Sequence, residues 1–184
     1  MILSPLLQRK FVRERVTSLR ERLFRTAYAW CHNRALADDL VQETSLRALE
    51  NAGQLQDTSA ADAWLFAILA NSHRSYLRRA GGDAEPQASD EPTDEEASPE
   101  RLADRESLVN YVRAAVARLN DDQRKVLTLV DLEGFSYTEV AAILEVPVGT
   151  IMSRLSRARQ RLKTLLRTRV TERTDQIAYL RGKP

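Results

Sequence analysis

Apolar residues recur at steps of three and four along most of the chain, a spacing that places them on one face of an α-helix. In the first eighty residues this pattern predicts three or four helices, over about 5–31, 35–50 and 60–79. The predicted boundaries carry residues typical of helix caps and breaks: Ser4 before Pro5, Thr17 or Ser18 as a possible break in the first helix, Gly53 after the second, and Thr58 or Ser59 before the third.

The helical spacing resumes after residue 105. Asn120 is a candidate N-cap for a short apolar helix, and Gly134 is a stop signal. Ser136 and Glu139 fit a capping box, in which each side chain accepts a hydrogen bond from the other residue's free backbone N–H. A break that contains proline and glycine then precedes a last helix, which we predict over about 148–166.

A stretch between these two helical regions lacks the pattern. Residues 81–106 carry 10 acidic and 2 basic side chains, a net charge of −8, whereas residues 1–80 carry 12 basic and 8 acidic, a net charge of +4. The stretch has three of the six prolines and almost no large apolar residue, so it cannot bury enough surface to offset its ordering entropy. We interpret it as a flexible acidic linker, with a solvated loop inside one domain as the alternative.

These patterns predict an all-α chain of two small helical domains. The first domain is expected at 1–80, the acidic linker at 81–104 and the second domain at 105–166. A basic tail at 167–184 is expected to be disordered and to add nonspecific affinity for DNA.

Composition limits the class of protein. The 184 residues include a single cysteine, so no disulfide can form within the chain. The longest apolar run has eight residues, 63–70, against the roughly 20 that a membrane span needs. The N-terminus lacks the charged start and long apolar stretch of a signal peptide. We therefore expect a soluble protein of the cytoplasm with no membrane insertion.

Residues 136–163 form a capped short helix, a tight turn and a longer basic helix, which is the pattern of a helix-turn-helix motif. No acidic residue occurs from Pro147 to Val170, so nothing on the last helix repels a phosphate backbone. Its polar face carries short hydroxyl side chains and arginines, which can contact base edges and phosphates: Thr150, Ser153, Arg154, Ser156, Arg157, Arg159, Arg161 and Lys163.

Two segments of the first domain are also suggestive. Residues 38–44 place acidic and polar side chains on one helix face. Taken alone, this pattern is weak evidence for a binding surface and is more typical of a solvated helix face. Residues 64–79 begin with apolar residues and end with an amide, hydroxyls, an aromatic ring and arginines, a mixture that single-strand binders use.

Taken together, the motifs resemble those of the bacterial ECF (extracytoplasmic function) sigma factors, within the sigma-70 superfamily. The resemblance covers about 18–80 and 105–166. It depends on four segments in this order: 39–44, the helix from Trp64 to Arg79, 134–141 and 147–159. It implies a dissociable subunit of RNA polymerase with a sigma-2-like first domain, a sigma-4-like second domain and no enzymatic activity or cofactor of its own.

The resemblance also implies roles for individual residues. The clamp helices of the largest polymerase subunit would bind the second predicted helix through Asp38, Asp39, Gln42, Glu43 and Arg47. The −10 promoter element would be read as the strands separate by Asn71, Arg74, Ser75 and Arg78, while the loop 53–59 would help hold an unstacked base.

The −35 element would be read in the major groove by the last helix. Met152, Ser153, Ser156 and Arg157 would face the bases, with Arg154 and Arg159 nearer the phosphates and Thr150 at the helix start. The acidic linker would run toward the RNA exit path, and an anti-sigma factor is an expected partner.

Two segments depart from the family pattern. Family members often carry a basic residue where this chain has Met152, so one −35 contact is lost or becomes apolar. Residues 57–63 lack the aromatic or basic residues often found before the tryptophan, which bears on strand separation.

Two other classes of protein share parts of this pattern. A dimeric operator-binding repressor or activator would bind duplex DNA without polymerase, and a sigma-like decoy would bind mainly an inhibitor. Cys31 and His32 are too few for a metal site, because a tetrahedral zinc site needs four ligands. We expect Cys31 to be a partly buried thiol, Trp30 and Trp64 to be core residues, and no residue to be catalytic.

Overall fold

The computed structural model describes the backbone of residues 5–81 and 109–181 and the side chains of 6–81 and 109–167. Its described part contains helices and turns and no strand element. The helices are α1 Pro5–Cys31, α2 Arg34–Glu50, α3 Ala61–Arg79, α4 over 109–117, α5 Asp121–Leu127, α6 Tyr137–Leu144 and α7 Val148–Arg181. The all-α prediction is confirmed. Ser4 and nearly all of the predicted linker lie outside the described residues.

The possible break in the first helix is absent, because α1 is continuous. The Thr17 hydroxyl donates to the carbonyl of Arg13 and the Ser18 hydroxyl to that of Arg15, both at 2.9 Å. These hydroxyls therefore bond backward within the helix and cap nothing.

The helix ends near residues 50–61 differ from the prediction in detail. Helix α2 ends at Glu50, before Gly53, which lies in a short 3₁₀ turn. Asp57, rather than Thr58 or Ser59, supplies the cap: its carboxylate accepts from the Ser59 backbone N–H at 2.9 Å and starts a second 3₁₀ turn. This turn feeds directly into α3, which has no side-chain cap of its own.

The helix-turn-helix segment forms as its sequence indicates. The Asn120 side chain accepts from the Gln123 N–H at 2.8 Å, and both halves of the Ser136–Glu139 capping box are present. Helix α6 ends at Leu144, and its C-cap residue Glu145 adopts the left-handed conformation with a φ of 58°. The predicted end of the last helix at 166 is wrong: α7 continues to Arg181. No glycine or proline occurs between residues 150 and 181, so nothing in the sequence stops the helix.

One hydrophobic core runs through both groups of helices. Helix α3 packs on α6, and α1 packs on α5. Trp30 of α1 is 1% exposed and Phe66 of α3 is fully buried. Phe66 meets Phe135, which precedes α6, with ring centroids 5.0 Å apart in a T-shaped arrangement. Trp64, in contrast with the prediction, is only half-buried at the edge of this core.

Candidate functional site

The first half of α7 presents an open polar face. Ile151, Leu155 and Ala158 are 0–2% exposed and anchor the helix to its domain. On the opposite side Met152 is 53% exposed, and Ser156 and Arg157 are exposed as well. The structure thus presents three of the candidate −35 residues together on one face.

Three other polar residues of this face are held by groups of their own domain. Arg154 lies 2.6 Å from the carboxylate of Asp122, and Arg159 makes a two-pronged hydrogen bond to Asp131, which raises the pKa of Arg159. The Ser153 hydroxyl donates to the carbonyl of Thr150 at 3.0 Å. The lack of acidic residues from Pro147 to Val170 does not leave this face without negative charge, because neighbouring elements bring the carboxylates of Asp122 and Asp131 to it.

The candidate −10 residues lie at the end of α3, where the second domain covers them in part. One Arg74 nitrogen donates to the Asn71 side-chain oxygen at 2.7 Å, and another donates to the carbonyl of Leu144 at 3.0 Å. Glu145 also lies 3.3 Å from Arg74. Arg74 therefore caps the C-terminus of α6, where the helix dipole favours a cation.

The remaining two candidate −10 residues, Ser75 and Arg78, lie farther along α3. Arg78 is exposed and donates to the Ser75 hydroxyl at 3.2 Å. They leave an exposed polar surface beyond the part of α3 that α6 covers.

Helix α2 carries the candidate polymerase-binding residues on its outer side. Asp39 and Gln42 are exposed. Glu43 pairs with Arg47 one turn later at 2.5 Å, and Asp38 lies 3.8 Å from Arg20 of α1. The sequence prediction missed Leu46, which is 62% exposed beside these polar groups. An apolar side chain surrounded by paired charges suits a protein partner.

Several polar residues between the two domains were also missed. Trp30 donates its indole N–H to the Thr128 hydroxyl at 2.6 Å. The buried guanidinium of Arg124 donates to the carbonyls of Trp30, Ala117 and Leu119. The sequence gives no signal for this contact, because Arg124 stands in a run of charged and polar residues and its acceptors lie outside its own helix.

The histidines and the cysteine lie near this contact. His73 is 2% exposed, and desolvation followed by the nearby Lys125 charge lowers its pKa to about 4. Burial also lowers the pKa of His32 to about 4. Cys31 is buried, and burial raises its pKa. Within residues 5–81 and 109–167, no cluster of three His, Cys, Asp or Glu side chains could hold a metal ion.

An apolar groove of about 500 Å³ opens between the domains. Phe24 and Tyr28 of α1 form one side of it, and Val116, Leu132 and Leu162 line the other. Its walls therefore come from both domains.

Comparison with known proteins identifies the family to which the chain belongs. The family model for Sigma-70 region 2 matches residues 15–82, and the model for Sigma-70 region 4 matches residues 110–162. The ECF RNA polymerase sigma factor EcfG of Rhodopseudomonas palustris is 45% identical over 130 residues, which cover 71% of each chain. The chain belongs to the ECF sigma factors. The resemblance seen in the sequence is thus confirmed.

Other relatives of this sigma factor agree. The RNA polymerase sigma-H factor of Pseudomonas aeruginosa is 31% identical over 151 residues, covering 77% of this chain and 78% of the relative. Among solved structures, the sigma factor RpoE of Bartonella quintana, in complex with the anti-sigma factor NepR, is 29% identical with a TM-score of 0.69, covering 84% of this chain and 95% of RpoE.

The structure of CnrH in complex with the cytosolic domain of CnrY, at 24% identity and a TM-score of 0.60, supports the fold; the match covers 89% of this chain and 97% of that chain. Among the described helices of this sigma factor, none is both long and apolar enough to cross a membrane.

Proposed function

We propose that the chain binds core RNA polymerase and directs promoter-specific initiation by reading a −10 and a −35 element. The observation that carries this proposal is the order of a region 2 match and a region 4 match in a chain 45% identical to an ECF sigma factor. We expect it to act by binding, without a catalytic residue or cofactor of its own, and to work in the cytoplasm.

The −35 element is assigned to the open face of α7. Met152, Ser156 and Arg157 are exposed there, where a helix can enter the major groove and Arg157 can contact a guanine through two hydrogen bonds. Thr150 and Ser153 lie at the start of this face. Arg154 and Arg159 would reach phosphates only by leaving or sharing their carboxylate partners, so we assign them smaller roles.

The −10 element is assigned to the end of α3. The amide of Asn71, the hydroxyl of Ser75 and the guanidinium groups of Arg74 and Arg78 supply the donors and acceptors that reading unstacked bases and holding phosphates requires. Two of these residues, Asn71 and Arg74, contact each other and can act as one unit.

Polymerase binding is assigned to the outer side of α2. Asp39 and Gln42 are the exposed polar groups, and Leu46 provides apolar area between them and Arg47. We propose that Asp38 and Glu43, which are already paired with arginines, contribute mainly to the shape and charge pattern of this surface.

The proposed domain boundaries match these assignments. We propose that 1–80 binds polymerase and the −10 element, that 81–104 is the acidic linker and that 105–166 reads the −35 element. The basic segment 167–184 begins inside α7, so any added DNA affinity would come in large part from a helix.

An anti-sigma factor is the proposed inhibitory partner. A relative with 29% identity was solved in complex with one. The groove between the domains, lined by Phe24, Tyr28, Leu132 and Leu162, offers apolar area to such a partner. A bound protein there would hold both domains at once.

The test is transcription in vitro from a pooled promoter library, with core polymerase in the presence or absence of the protein. New start sites that share two spaced elements would support the proposal and identify both sequences. Binding to duplex DNA without any binding to core polymerase would instead favour a repressor or activator.

The docking surface is tested by a double variant, Asp39→Ala with Gln42→Ala. We expect about tenfold weaker binding to core polymerase, because exposed polar groups of an interface each contribute modestly. A normal circular dichroism spectrum is the control for folding. Unchanged core affinity in a folded variant would refute the assignment of α2.

A further inference from the structure

An apolar strip lies on the open face at the start of α7. Val148 is 37% exposed, and Met152, one helical turn later, is 53% exposed. Residues four apart share one side of a helix, so these two side chains form neighbouring parts of one surface. The core of the domain instead takes Ile151 and Leu155, which are 0% and 2% exposed. Val148 and Met152 are therefore separate from the core and leave apolar area open to solvent.

The residues around Met152 leave its side chain free to extend from this part of the helix. Gly149 has no side chain, and a Cβ there would meet no atom within 4 Å. Ser156 is short and exposed. Arg154, the other long unbranched side chain in this part of α7, is held 2.6 Å from a carboxylate of α5. A surface that approaches the start of α7 therefore meets the end of the methionine.

A methionine side chain has few ways to recognise a base pair. It carries no hydrogen-bond donor, and its thioether sulfur is a weak acceptor. The base edges in the major groove present donors and acceptors, with one apolar group among them, the C5 methyl of thymine. Contact with that methyl buries apolar area, whereas a polar base edge against the methionine loses its water without gaining a hydrogen bond. The flexible thioether also adapts to the position of its contact.

We propose that Met152 reads one thymine of the −35 element through the C5 methyl group, and that Val148 adds apolar area beside it. This inference rests on the proposed function, because it requires α7 to enter the major groove at the −35 element. Met152 then has a base preference different from that of Arg157, whose guanidinium suits guanine. The start of α7 selects an A·T pair, and a later position selects a G·C pair.

The experiment removes the methyl group alone. Deoxyuridine replaces each thymine of the −35 element in turn, on a promoter duplex whose sequence the transcription library identifies. Holoenzyme assembled from core polymerase and the full chain is titrated against each duplex, and fluorescence anisotropy gives the affinity. The variant Met152→Gln keeps the length of the side chain and replaces its apolar end with an amide. Leu7→Ala is the matched control, because Leu7 is an apolar residue of similar exposure, 54%, at the start of α1.

We expect one thymine at which loss of the methyl weakens binding of the parent holoenzyme about fourfold, as the loss of one buried methyl-sized contact predicts. Met152→Gln should bind the thymine and deoxyuridine duplexes equally. It should also prefer the duplex in which that A·T pair is inverted, because glutamine forms two hydrogen bonds with adenine. Leu7→Ala should keep the full effect of the methyl group.

A −35 element in which no thymine methyl affects the parent would overturn the proposal, as would an equal methyl effect in Met152→Gln and the parent. Met152→Leu is the second test: it keeps an apolar contact and should still favour thymine over deoxyuridine, and equal affinities would contradict the proposal. Circular dichroism and retained binding to core polymerase check each variant. If the parent chain with core polymerase starts no transcript at any promoter of the library, the proposed function itself fails.

Discussion

The two candidate DNA-reading surfaces differ in their availability. The open face of α7 presents Met152, Ser156 and Arg157 to solvent, and its core stripe belongs wholly to the second domain. The end of α3 instead uses Asn71 and Arg74 in a contact with α6. The comparison teaches that the polarity and charge of a helix face do not by themselves tell whether its side chains are available, because their partners come from other elements.

The same contrast recurs among the arginines of α7 alone. Arg157 makes no hydrogen bond or ion pair with any described residue, whereas Arg154 and Arg159 are held by Asp122 and Asp131. Three arginines within six residues therefore have different environments. Their charge is the same, and only their neighbours distinguish them.

The largest expected effect is a loss of stability, and it tests whether α3 packs against the second domain as well as the first. Phe66→Ala should lower the free energy of unfolding by about 3–5 kcal/mol, because the ring is fully buried between the domains. Met152→Ala, on the open α7 face, is the control and should change it by less than about 0.5 kcal/mol. Urea denaturation measures both. Similar losses of unfolding free energy in the two variants would contradict the difference between the buried α3 contact and the open α7 face.

The α7 surface is tested by Arg157→Ala. We expect a loss of roughly 1–3 kcal/mol in binding to the −35 duplex that the library identifies, with relaxed preference at one base pair. Fluorescence anisotropy on the matched and the substituted duplex measures both quantities. The same substitution at Arg161, exposed but farther along the helix, is the control. Intact promoter discrimination in Arg157→Ala would contradict the assignment.

The stability of the protein should also depend on pH through His73 of α3. His73, beneath Arg74, is packed against Trp30 and near Asp121, Lys125 and Arg124, and its pKa is lowered to about 4 from the ordinary 6.5. The unfolded chain therefore binds a proton before the folded protein does, so stability is present above pH 6.5 and is lost as pH falls toward 4. Between pH 7 and pH 5 the loss should be about 2 kcal/mol from this group.

His73→Gln isolates this contribution, since glutamine does not titrate. The variant should lose about 2 kcal/mol less stability than the parent over the same pH range. His32, whose pKa is also lowered to about 4, continues to titrate in both proteins. Denaturation curves at pH 7, 6 and 5 measure the difference. An equal pH dependence in the two proteins would show that His73 is not the group responsible.

The smallest expected effect distinguishes the arginines of α7. Arg159→Ala should weaken binding to the −35 duplex by less than about 1 kcal/mol, because Asp131 already engages this side chain. Asp131→Asn is the companion variant: it releases Arg159 and should strengthen binding and steepen its salt dependence. If Arg159→Ala weakened binding to the −35 duplex as much as Arg157→Ala does, the smaller role assigned to Arg159 would be contradicted.

Much of the fold could be predicted because it depends on local rules. The spacing of apolar residues predicts the helices, and Asn120, Ser136 and Glu139 form the expected caps. The errors also have local causes. Asp57 was the stronger cap beside Thr58 and Ser59. The predicted end of α7 followed the apolar stripe, which stops near Leu165, but the helix continues because no glycine or proline breaks it before residue 182.

The sequence by itself determined the two helical regions, the segregated charge and the residue types of both candidate DNA-reading surfaces, since each depends on neighbours within about one helical turn. Only the tertiary structure decided which of those side chains are exposed. Asp131 reaches Arg159 across 28 residues, and Glu133 meets Arg22 across 111. Such pairs form because burial of Trp30, Phe66 and Phe135 brings distant elements together, and no periodicity in the chain encodes that contact.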